Sequence, residues 1–272
     1  MDRRVHAQAA RTTFIALDLL AARYREAGTA TSPGRPLRHA ELSVFSENGE
    51  DGVIQAMLER IGEGSRTFVE IGTGDGRQCN CAFLASVLDW SGIFIEADAA
   101  DCALLADRYA DAPGVAVINA RVSPETVNGL LANAPPEPDV LSIDIDGDDY
   151  WVWEAITCIA PTVAVIEYNA ALPRASRLVQ PRHHGPWDGT DGFGASLGAL
   201  EMLGRSKGYV LVHTDLAGVN AFFVRERDAH LFPEAAAPAR RAPNFVLAGG
   251  RHPPGHQRVR ADTSTAEETR HG

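Results

Sequence analysis

The chain has 272 residues, 45% of them apolar, enough for one large α/β domain or two small ones with a sizeable core. A formal net charge of −11 argues against the basic face that nucleic-acid binding requires. Four cysteines, Cys79, Cys81, Cys102 and Cys158, make no C-x-x-C pair and no disulfide framework, so reduced, buried thiols in a cytoplasmic protein are expected.

Near the N-terminus, Phe14, Leu17 and Ala21, with Ile15 and Leu19, have the spacing of an amphipathic helix. The apolar run over 13–22 contains Asp18 and is too short to span a membrane. It also lacks the charge-free core of a signal peptide. Such a helix packs either on the main domain or on a second copy of the chain, so a homodimer is one of two open arrangements. The polar segment "GTATSPGRP" follows, and residues 1–40 read as helix and linker.

The main domain is expected over 41–232. "SENGEDGVIQAMLERIG" predicts a loop and then a helix from about Gly49 to Ile61. Strands are predicted at 67–72, 92–98, 115–120, 140–145, 163–169, 209–215 and 220–225, with crossover segments between the first five. That alternation predicts a mostly parallel, doubly wound, Rossmann-like sheet of seven strands. Only "LAGV" separates the last two strands, which forces an antiparallel hairpin. The extension 233–272 is rich in Ala, Pro and charge, and its last residues have the composition of a disordered tail.

Ligands of such sheets bind beyond the carboxyl ends of the strands. The first strand runs into "VEIGTGDG", with Gly72, Gly74 and Gly76 at alternate positions. Glycines there let the backbone turn tightly and approach a ligand. Glu70 and Asp75 beside them would repel a pyrophosphate and suit a ligand with a cationic end. Glu96 closes the second strand 20 residues past the last glycine, where an acid can accept both ribose hydroxyls.

The glycine loop, the second-strand acid and the terminal hairpin together resemble the class I S-adenosylmethionine-dependent methyltransferases over roughly 45–225. "FSENGEDGVIQ", "IEYN", "WDGTDGFGASLGALE" and "GVNAFFVR" look like a bacterial subgroup close to FkbM-type methyltransferases. The resemblance implies that Glu70 and Gly72 to Gly76 cradle the methionine part of S-adenosylmethionine, that Glu96 holds the ribose, and that Asn119 and Ala120 lie near the adenine. Asn80 and the "SENGED" loop would cap the cofactor's amino-acid end, with helix capping as the plainer reading of Asn80 and Glu50.

Four aspartates crowd "SIDIDGDDYWVW". Period-two alternation puts Asp144 and Asp146 on one side, at the fourth strand's end. Asp148 and Asp149 are expected in a first helical turn, where water and the helix dipole suffice for them. Glu167 and Asn169 end the fifth strand. With Asp144 and Asp146 they make a hard oxygen set suited to Mg²⁺ or another divalent cation. "DGDxY" over 146–150 resembles the macrocin-type O-methyltransferases, which place an ion at these strand ends, although Glu167-Tyr-Asn169 stands where that family carries adjacent acids. The metal-free alternative has Asp144 orienting cofactor or substrate directly.

A long connection, 170–192, should overhang this site. It carries His183 and His184, either of which could serve as general base, together with Trp187, Asp188 and Asp191. His213, at the end of the sixth strand, reads as structural. The expected activity is methyl transfer to a hydroxyl of a small molecule such as a natural product or sugar, with no nucleic-acid or membrane partner. The alternatives are a metal-free N- or C-methyltransferase using a loop histidine, and a non-catalytic partner protein that keeps the fold.

Overall fold

The computed structural model describes residues 36–182 and 192–233. The expected N-terminal helix, His183, His184, Trp187, Asp188, Asp191 and the extension from 234 onward lie outside the described residues.

Seven strands form one sheet: β1 (Thr67–Ile71), β2 (Ser91–Glu96), β3 (Val115–Asn119), β4 (Val140–Ile143), β5 (Val163–Glu167), β6 (Tyr209–Thr214) and β7 (Asn220–Arg225). Their order is β3-β2-β1-β4-β5-β7-β6. All pairs among β1 to β5 are parallel. β7 returns antiparallel between β5 and β6, the hairpin that its short connection demands. Helices α1 (Glu50–Ile61), α2 (Ala82–Val87), α3 (Ala99–Arg108), α4 (Val127–Leu130), α5 (Asp149–Ala155) and α6 (Leu197–Ser206) flank it.

Strand alternation sorts the core into two layers. Val69, Ile71, Leu141, Ile143, Ala164 and Ile166 pack with Val127, Val152, Trp153 and Leu200, so α4 to α6 cover one face. Phe68, Phe94, Val140, Val163 and Val165 pack with Ile54, Met57, Leu84 and Leu105, so α1 to α3 cover the other. Both faces are apolar, so β1, β4 and β5 read as nearly unbroken hydrophobic runs. Leu37, in the expected linker, is fully buried in the second layer.

Trp153 lies against Phe223, with ring centroids 4.8 Å apart, and across from Tyr209 at 6.1 Å. Trp151 instead donates its indole N–H to Gln180 O at 2.7 Å, and the Arg182 guanidinium covers its ring. All four cysteines are free. Three are buried, but Cys158 is exposed, because it sits in the turn after α5 and not in the core as expected. Among the described residues no helix is long and apolar enough to cross a membrane.

Candidate functional site

The sheet order reverses between β1 and β4, and crevices open at such points beyond the carboxyl ends of the strands. A cleft of about 470 Å³ lies there. Its walls include Gly72 to Asp75 after β1, Glu96 and Ala97 after β2, Ala120 and Val122 after β3, and Asp144 to Asp146 after β4. Glu47 and Gln78 complete it.

The glycine loop needs its glycines for two reasons. Gly72 has φ +83°, and a Cβ there would fall 1.7 Å from the carbonyl oxygen of Asp144. The loop therefore packs directly on the backbone leaving β4. At Gly74, with φ +51°, a Cβ would meet nothing within 4 Å, so the left-handed backbone alone calls for glycine.

Alternation along β1 turns Glu70 away from Val69 and Ile71, toward α2. Its two oxygens accept the backbone N–H groups of Asn80 (2.7 Å) and Cys81 (2.8 Å). Glu70 is thus buried beneath the loop and is not part of the cleft lining. Burial pushes its carboxyl up from its ordinary 4.5 to about 7, against the pull of those two hydrogen bonds. Asn80 does not cap α2, whose N-cap residue is Cys81. Its amide donates to Ser142 Oγ at 3.0 Å and ties the loop to β4.

Glu96 lines the cleft, and it also braces the loop. One carboxylate oxygen accepts N–H bonds from Thr73 (3.0 Å) and Gly74 (2.7 Å), and the other accepts from Asp98 (2.7 Å). Ala120 lines the cleft, while Asn119 stands beside it with its amide on the carbonyls of Glu96 and Ala97.

At the β4–β5 edge, Asp144, Asp146 and Glu167 each offer a carboxylate oxygen within 4.8 Å of the others. The chain does not stay extended to achieve this. β4 stops at Ile143, and Asp146 takes a left-handed φ of +56°, so a turn and not strand alternation gathers the acids. Glu167 is 8% exposed, and one of its oxygens has no hydrogen-bond partner among the described residues. Burial raises its carboxyl well above the usual range, and the charge of Asp144 raises it further. Burial likewise raises Asp144, assisted by Asp149 and Asp146. The charged forms of these two acids are thus disfavoured at this edge. Asn169 has its amide in the loop, donating to Phe193 O at 3.0 Å and accepting from Ala171 N–H at 2.9 Å.

Asp149 departs from expectation. It is not a solvated helix-start acid but is 1% exposed. It accepts N–H bonds from Ile145 (2.8 Å) and Gly147 (2.9 Å), which shapes the turn that carries Asp146. Burial lifts its carboxyl to about 7. Asp148 precedes α5 without a side-chain capping bond. Helical position misled here because the backbone N–H groups of the tight turn outcompete water for the side chain.

The "SENGED" loop is built by buried acids. One oxygen of Asp51 accepts the N–H groups of Val44 (2.7 Å), Phe45 (2.7 Å) and Ser46 (2.9 Å). Glu50 accepts from Asn48 N–H (2.8 Å) and from the Asn220 amide (2.9 Å). Glu41 joins the loop to the β6–β7 hairpin through His213 (3.0 Å) and Leu216 N–H (2.9 Å). Glu47 belongs to the "SENGED" loop singled out in the sequence, whereas Gln78 and Val122 are cleft residues that motif reading passed over. The only sequence signal for Gln78 was its proximity to the glycine loop.

No family model and no curated protein matches the sequence. Solved structures similar to it include a protein assigned as a caffeoyl-CoA O-methyltransferase from Staphylococcus aureus, at 16% identity over 65% of this chain and 82% of that one, with a TM-score of 0.45. Another is the CurJ carbon methyltransferase, at 10% identity over 69% and 56%, with a TM-score of 0.43. A third is the N-terminal domain of EvdMO1 determined with SAH and D-fucose, at 13% identity over 64% and 80%, with a TM-score of 0.42. At these identities the likeness is one of fold, and nothing about this chain's own chemistry follows from it.

Proposed function

We propose that the chain transfers a methyl group from S-adenosylmethionine to a hydroxyl of a small molecule, with a divalent cation held by Asp144, Asp146 and Glu167. The observation that carries this reading is one continuous cleft, with a nucleoside-sized space at the ends of β1 to β3 and a gathered carboxylate triad at its β4 edge.

The residues suit both groups. The apolar corner of Ala120 and Val122 accepts an adenine face, and Glu96 retains acceptor capacity toward a ribose diol. Thr73 keeps a buried hydroxyl without a partner among the described residues, a group that a ligand could satisfy. The triad offers only hard oxygens, and the orphaned Glu167 oxygen is the kind of atom a cation satisfies. A bound divalent cation supplies positive charge that lowers the pKa of an acceptor hydroxyl. The cofactor supplies a methyl group already attached to its leaving sulfur.

The protein's own contribution is alignment. Gly72 lets the β1 loop sit against Asp144 O, Glu96 fixes that loop through two N–H bonds, and Asp149 fixes the turn bearing Asp146. Positioning of this kind can account for much of a transfer barrier.

Isothermal titration with S-adenosylhomocysteine tests the cofactor, and no binding at millimolar ligand refutes it. Titration with Mn²⁺ tests the triad. Glu167→Gln should weaken the ion at least about tenfold, or about 1.4 kcal/mol, and an unchanged affinity removes the metal from the reading. Full activity in EDTA would instead favour metal-free transfer with His183 or His184 as base. Cofactor binding without methyl transfer across a broad acceptor panel would favour a non-catalytic role.

A further inference from the structure

We infer that a second pocket, at the opposite end of the sheet from the carboxylate triad, binds a small aromatic carboxylate, with its ring on the Trp153 and Tyr209 wall and its anion on the Lys207 ammonium. The inference stands apart from the cofactor reading above. The pocket has a volume of about 480 Å³ and lies where β4 and β6 begin and the antiparallel β7 ends. Cavities of this size suit small organic ligands. Its inner wall is apolar. Leu141, Trp153, Ile156, Ile159 and Tyr209 line it, and all five belong to the buried layer covered by α4 to α6. The Tyr209 hydroxyl is already bonded, donating to Pro161 O at 2.6 Å, so the wall offers a ligand apolar and aromatic contact.

The rim is basic, in a chain of net charge −11. Lys207, Arg225 and Arg227 stand there with one acid, Glu226. Arg225 is paired with Glu137 at 2.9 Å and Arg227 with Asp228 at 3.5 Å. Lys207 is held differently. Its ammonium donates to Glu154 O at 3.3 Å and to Ile156 O at 2.8 Å, at the end of α5. Those carbonyls use two of its three N–H groups, and neither carries a charge to cancel its own. The Glu154 carboxylate acts on Lys207 electrostatically, but its hydrogen bond goes to Arg182 at 2.6 Å.

Lys207 is half-buried, and burial pulls its ammonium below the ordinary 10.5. A cation held partly out of water gains from an anion in contact. Glu226 is exposed, where water screens its charge, so it opposes a ligand anion only weakly. A Cβ on neighbouring Gly208 would meet nothing within 4 Å, so the pocket edge beside Lys207 is uncrowded.

The test is titration calorimetry on the full chain with cinnamate and with cinnamyl alcohol, which keeps the ring and lacks the charge. Wild type should bind cinnamate at about millimolar concentration or below, and cinnamyl alcohol at least about tenfold more weakly, as a charge-assisted hydrogen bond predicts. Lys207→Gln removes the charge and keeps an amide that can donate to the α5 carbonyls. It should bring cinnamate within about twofold of the affinity of wild type for cinnamyl alcohol. Ala160→Trp adds bulk from an exposed lining position and should abolish binding of both probes. Thermal melts check that both variants fold. Any one of four results overturns the inference: no binding of millimolar cinnamate, equal affinity of wild type for the two probes, an unchanged preference in Lys207→Gln, or binding retained in Ala160→Trp.

Discussion

Glu70→Gln isolates one buried carboxyl whose titration the structure makes unusual. Glu70 lies under the glycine loop with both oxygens on backbone N–H groups, and burial holds it near pH 7 against an ordinary 4.5. The folded protein keeps its proton until about pH 7, while the unfolded chain releases it near 4.5. Across that window folding takes up a proton, so stability falls as pH rises and the loss is complete above pH 7. Between pH 5.5 and 8 the change amounts to about 2 kcal/mol, from the two pKa values and about 1.36 kcal/mol per unit. Other buried acids add slopes of their own, but they are common to parent and variant. The stability gap between wild type and Glu70→Gln should therefore shift by about 2 kcal/mol against wild type between pH 5.5 and 8. Urea denaturation at a series of pH values measures it, and in thermal melts it corresponds to about 4–8 °C. A gap constant to within about 0.5 kcal/mol over that range would refute the argument that burial controls Glu70.

Gly72→Ala should cost more than about 3 kcal/mol and abolish S-adenosylhomocysteine binding, because the new Cβ overlaps Asp144 O on a left-handed backbone; a melting point equal to the parent's would sink this. Asp51→Asn should cost about 1–3 kcal/mol, since three N–H groups lose a charged acceptor. Urea denaturation of the variant and the parent measures it. Trp153→Ala should cost about 3–5 kcal/mol through the cavity left against Tyr209 and Phe223. Because Trp153 is not part of the cleft lining, the variant should keep S-adenosylhomocysteine affinity within about twofold at a temperature where it is folded.

Strands and their order of appearance were legible in the sequence because each is a short apolar run bounded by turn residues, and crossover length alone separates parallel from antiparallel connections. "VLSI" and "VAVIE" are apolar because both faces of the sheet are covered, and "LAGV" permits only a hairpin. The cleft's position followed from that topology, and so did the ends that carry Glu96, Ala120, Asp144 and Glu167. What each acid does there was decided by tertiary structure. Glu70 and Asp149 are carboxylic acids like Glu96 and Asp146, yet the first two are buried on backbone N–H groups while the second two line the cleft. Glu47 reaches the site from 25 residues before Gly72, through a loop folded on Asp51. Periodicity reports which face of an element a residue occupies. It says nothing of which carboxylate wins the nearest N–H groups, because that depends on distances set only when the loops from β1, β4 and the N-terminal segment come together.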